Sequence, residues 1–147
     1  MNKIGKYVAN QVLTASPVEL VLMLFDEAIR SLKKADTAFA LDTPARFELI
    51  NKHLTHTQDV IRELLYSLNM EKGGEVAKNL DRLYAFMLVH LTQSNVQKNP
   101  QPAAEVREML TTLREAWQVV LEKELAQETK DTPARLHTAH NHILAAG

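Results

Sequence analysis

Cysteine is absent from the 147-residue chain, which excludes disulfides, thiol nucleophiles and cysteine-ligated zinc or iron–sulfur centres. Glycine occurs four times and proline five, too little for a hairpin-rich fold or a phosphate-cradling loop, and no Gly-x-x-x-x-Gly-Lys or Gly-x-Gly-x-x-Gly run is present. Long apolar runs are missing too. Leu20–Phe25 and Leu83–Val89, six and seven residues, are the longest, against the ~18 that a bilayer requires. The opening Met1-Asn2-Lys3-Ile4-Gly5 has a basic residue but no apolar signal core behind it. Charge of one sign is also lacking: 17 Lys+Arg against 18 Asp+Glu leave a formal −1, no field to gather nucleic acid or anionic lipid. The expectation is a cytoplasmic protein with neither nucleic acid nor membrane insertion among its contacts.

What is present reads as helix. Ser16-Pro17-Val18-Glu19 is a capping box with proline in the first turn, so a helix is predicted from Pro17 to about Phe39. Its apolar positions are too many for one narrow stripe, and its first half needs cover on more than one side. Thr43 caps a second helix, whose Ile50, Leu54, Ile61, Leu64, Leu65 and Leu68 recur at helical spacing to about Asn69. Glu71-Lys72-Gly73-Gly74 reads as a reversal. A third helix is predicted from about Gly74 to Lys98, burying Val76, Leu80, Leu83, Tyr84, Met87, Leu91 and Val96 and stopped by Asn99-Pro100-Gln101-Pro102. Pro102 opens a fourth, with Val106, Met109, Leu110, Leu113, Trp117, Val120 and Leu121 on one face, fading near Glu124 or Leu125. Asp-Thr-Pro-Ala-Arg occurs at Asp42–Arg46 and again at Asp131–Arg135, one helix start used twice.

At this length a single domain spanning 1–147 is the prior, since domains average ~150 residues. Short connections force sequential helices to run antiparallel, so the predicted fold is all-α: an up-down-up-down four-helix bundle over 16–125. Residues 1–15, carrying Ile4, Tyr7, Val8, Val12 and Leu13, are too apolar for a solvated tail and are expected to pack on the bundle. Residues 126–147 read as a polar linker and a short, weak fifth helix from Thr132-Pro133 toward Leu144.

Sites for chemistry are few. Two-metal bundles take ligands from Glu-x-x-His pairs, and none of the six histidines has an acid three residues before it. His53 with His56, and His137 with His140 and His142, read as solvated histidines, so no metal and no cofactor is expected. The aromatics sit in helical apolar patterns and read as core. The alternative function is a histidine phosphotransfer or signalling bundle acting through His90 or His53. His90 lies between Val89 and Leu91, with no lysine or glycine within the next turn.

Tyr7-Val8-Ala9-Asn10-Gln11-Val12-Leu13-Thr14-Ala15-Ser16-Pro17, followed by Leu20, Met23-Leu24-Phe25-Asp26 and Ala28, resembles the start of the flagellar secretion chaperones called FliS. So do Glu71-Lys72-Gly73-Gly74-Glu75-Val76-Ala77-Lys78-Asn79-Leu80, the Leu83-Tyr84-x-Phe86-Met87 run, Asn95, Glu105-Val106 and Leu113-Arg114-Glu115-Ala116-Trp117. Glu27 stands where that family commonly has glycine, and Ala85-Phe86 where it has Asp-Tyr. The resemblance implies a non-enzymatic export chaperone that binds the C-terminal segment of flagellin, prevents its premature assembly and delivers it to the type III export gate, with a homodimer as one free state. It also implies a client groove and its cap at Ile4, Tyr7, Val8, Val12, Leu22, Phe25, Tyr84 and Met87. Residues 1–15 are expected to act there as a lid that cargo displaces, or as a fixed staple.

Overall fold

The structure, a computed structural model, describes residues 15–130. Four helices account for nearly all of them: α1 (Pro17–Phe39), α2 (Arg46–Tyr66), α3 (Met70–Gln97) and α4 (Pro100–Lys130). Among the described residues there is no strand. Ile4, Tyr7, Val8 and Val12, the fifth helix and the C-terminal histidines lie outside them.

The start of α1 follows the sequence signal. Ser16 Oγ accepts from Glu19 N–H at 3.2 Å and donates to the Glu19 carboxylate at 3.2 Å. Three other boundaries depart from expectation. α2 begins at Arg46, with no side-chain cap, because Thr43 instead closes a turn through its carbonyl to Arg46 N–H. The reversal before α3 falls at 67–69, ahead of the glycines: Asn69 caps α3 by accepting from Lys72 N–H at 3.0 Å. The glycine pair then kinks the helix, with Gly74 at φ 54°, ψ −134°. α4 runs on to Lys130, since Ala126, Gln127, Glu128 and Lys130 are good helix formers and nothing there breaks the pattern. Polar composition alone is no stop signal.

The described residues fall into two compact units, Met23–Arg114 and a second drawing on 15–22 and 115–130. The first is a four-helix bundle. Its core takes Phe25, Ala28, Leu32, Ala35 and Ala38 from α1, Ile50, Leu54, Thr57, Ile61 and Leu64 from α2, Ala77, Tyr84, Met87 and Leu91 from α3, and Ala103, Val106 and Leu110 from α4. These recur mostly at steps of three and four, or their sum of seven, the seam of a left-handed bundle. On α1, alanines alternate with Phe25 and Leu32, so neighbours can interdigitate closely.

Polar links close the ring of helices. Ser31 of α1 donates to the His53 carbonyl of α2 at 2.8 Å, and Glu27 meets His56 at 3.0 Å. Gln58 of α2 donates to the Leu88 carbonyl and to Thr92 of α3, and Asn95 donates to Asn51 at 2.8 Å. His90 of α3 meets Glu105 of α4 at 2.6 Å. Arg114 of α4 grips both carboxylate oxygens of Asp26 on α1. Where two such links join one pair of helices, as at α1–α2 and α2–α3, the residue number rises on one helix as it falls on the other, which is the antiparallel up-down-up-down order.

Candidate functional site

The eight residues expected to mark a client groove separate on inspection. Ile4, Tyr7, Val8 and Val12 lie outside the described residues. Leu22, Phe25, Tyr84 and Met87 are buried, at 6%, 0%, 1% and 0% exposure. Burial holds the Tyr84 hydroxyl up at about 12, so it stays protonated at any physiological pH. A partner docking on this conformation would not touch these four side chains. Tyr84 and Met87 hold the inner face of α3 in the core and leave its outer surface to solvent.

That surface is apolar where α3 turns outward. Phe86, Val89 and Val96 are 46%, 59% and 77% exposed, and their spacing of three and seven puts them on one face of the helix. They are out of phase with the buried Tyr84, Met87 and Leu91, so Val96, expected in the core, lies outside it, as does Val76 at 68% exposure. Phe86 stacks against His90 with ring centroids 4.5 Å apart, and His90 in turn reaches Glu105. The aromatic ring is thus propped from one side and wet on the other. Bound water over such a stripe is readily displaced by another apolar face.

Electrostatics tie this region to pH. The hydrogen bond from His90, with a second from Gln101, holds the Glu105 carboxyl below its ordinary 4.5. That interaction stabilises the fold above the ordinary carboxylate value and is lost as pH falls through the lowered folded value. His53 is held below 6.5 by burial first, then by Lys52, Lys34 and His56. Its contribution is therefore present above 6.5 and lost as pH falls through its folded value. Glu105→Gln is expected to flatten the lower acid limb and His53→Gln the upper one when denaturant midpoints are measured against pH. An unchanged profile in both variants would contradict these placements.

Phosphotransfer at His90 finds no support, because its Nε2 faces a carboxylate that repels an incoming phosphoryl group. Among the described residues no three His, Asp or Glu side chains converge to hold a metal ion, and no helix is long and apolar enough to cross a membrane.

The geometry defines a helical bundle that presents an apolar stripe to solvent, the kind of surface through which proteins bind other proteins. Comparison with known proteins narrows the class. The chain matches the family described as flagellar protein FliS over residues 1–124. It is 38% identical over 111 residues to a flagellar secretion chaperone FliS of Vibrio cholerae, covering 75% of this chain and 79% of that protein. Its identity is 34% to the chaperone of the same name from Salmonella typhimurium, covering 84% and 90%, and 31% to that of Bacillus subtilis, covering 84% and 89%. The chain belongs to the FliS family of flagellar secretion chaperones.

Proposed function

We propose that this chain is a cytoplasmic, non-catalytic escort that binds the C-terminal segment of flagellin, keeps it from assembling prematurely and hands it to the flagellar export gate. The observation that carries this reading is the wet apolar stripe of Phe86, Val89 and Val96 along one face of α3, in a chain of this family. Helix-in-groove recognition uses such anchors at spacings of three, four and seven. A client segment that orders on binding gives up several kcal/mol of conformational free energy, so a long wrapped contact is required and release for export stays feasible. Residues 1–15 act as a lid in this scheme, with Ile4, Tyr7, Val8 and Val12 as its apolar anchors.

Co-expression with flagellin of the same organism, followed by size exclusion, tests the escort role. Intact flagellin is expected to co-elute and C-terminally truncated flagellin is not; equal behaviour of the two would overturn the reading. Phe86→Ser with Val89→Ser is expected to weaken a flagellin C-terminal peptide at least about ten-fold, roughly 1.4 kcal/mol or more, with unchanged helicity because both side chains are exposed. Deleting residues 2–12 is expected to tighten the peptide. Unchanged affinity would point to a fixed staple.

A further inference from the structure

The distal half of α4 is built differently from the rest of the described chain. Buried side chains recur along α4 at Ala103, Val106 and Leu110 and then cease: from Thr111 to Thr129 none is buried. The apolar pattern continues nonetheless. Trp117, Val120, Leu121 and Leu125 share one face at steps of three, four and eight, with Val120 39% and Leu125 50% exposed. Glu124 and Glu128 complete the same face at steps of seven and eleven. Residues 115–129 contain four glutamates and one lysine, whereas residues 23–114 contain twelve acids and twelve bases. None of Glu115, Glu122, Glu124 and Glu128 forms an ion pair among the described residues; Glu122 accepts only from Gln118, at 3.4 Å.

An apolar stripe that ends in unpaired carboxylates on its own face selects its occupant by charge. We infer that α4 from Trp117 to Glu128 is a docking rail for a basic amphipathic helix of a partner protein, one whose apolar stripe covers Trp117, Val120, Leu121 and Leu125 while its lysines or arginines meet Glu124 and Glu128. An acidic or neutral helix leaves both carboxylates desolvated and unpaired beside the contact, which opposes binding. The partner is defined by chemistry alone.

The test uses the full chain and two fluorescein-labelled amphipathic peptides of about 18 residues, identical in their Leu/Ala stripe, one with lysines and one with glutamates at the end of that stripe. Fluorescence anisotropy is expected to show the lysine peptide binding at least about ten-fold tighter at low salt, with the advantage shrinking at ~0.5 M salt. Glu124→Gln with Glu128→Gln is expected to remove most of that preference, and Val120→Ser with Leu125→Ser to weaken both peptides. All four side chains are exposed, so circular dichroism should be unchanged. Equal affinities for the two peptides, or a preference that survives the double glutamine variant, would overturn the inference. So would a lysine peptide that binds ten-fold tighter after residues 2–12 are deleted, which would assign the rail to the chain's own Lys3- and Lys6-bearing segment. Self-association of the free chain that Val120→Ser with Leu125→Ser abolishes would assign it to a second copy instead.

Discussion

Met87→Ala is expected to destabilise the bundle by about 2–5 kcal/mol, the range for emptying a fully buried Met or Leu site. Met87 is 0% exposed and sits on the α3 seam between Tyr84 and Leu91. A bundle of this size has about 5–15 kcal/mol in hand, so the loss is a large share of the whole. Urea denaturation measures it directly. The consequence for the proposed function is specific: titration of a flagellin C-terminal peptide under conditions where the variant is folded should give near wild-type affinity, since the side chain faces the core and not the proposed binding surface. The opposite pattern, weakened binding with a stability change below about 1 kcal/mol, would place Met87 at the contact.

That contrast between Met87 and Phe86 shows where sequence reading succeeds and where it stops. The heptad-like recurrence of Phe25, Ala28, Leu32 and Ala35, and the Ser16 capping signal, depend on residues within about three turns of each other, and both were legible. The four helices and their antiparallel order follow from them. Phe86 and Val89 were legible in principle, because they break phase with Tyr84, Met87 and Leu91, yet an aromatic inside an apolar run reads as core until the phase is counted. The cross-helix links were not legible. His90 and Glu105 belong to different helices, and Asp26 and Arg114 stand 88 positions apart. No local rule pairs them, and only the finished register brings them together. α4 beyond Leu125 failed for another reason: an exposed helix held by the propensity of Ala, Gln, Glu and Lys has no apolar period to announce it.

The same limit applies at the start of α3, where Gly73→Ala and Gly74→Ala are each expected to cost about 1–3 kcal/mol, for different reasons. Gly74 sits at φ 54°, ψ −134° with open space around its missing side chain. Its cost is backbone strain, and no change in a neighbour can relieve it. Gly73 has ordinary helical geometry, but a Cβ there would lie 2.4 Å from the Cβ of Ala77. Ala77 is buried, 3% exposed, and has no flexible end to swing away, so the helix itself must shift. Ala77→Gly removes the colliding atom and should therefore recover part of the Gly73→Ala loss while leaving the Gly74→Ala loss intact. Chemical denaturation of the three singles and the two doubles reads this as a coupling energy. Equal coupling of Ala77→Gly to both glycines would sink the distinction. The paired glycines thus do two jobs that the sequence pattern had merged into a single reversal: one lets the first turn pack against Ala77, and the other bends the chain so that the capped turn at Asn69 can join the rest of α3.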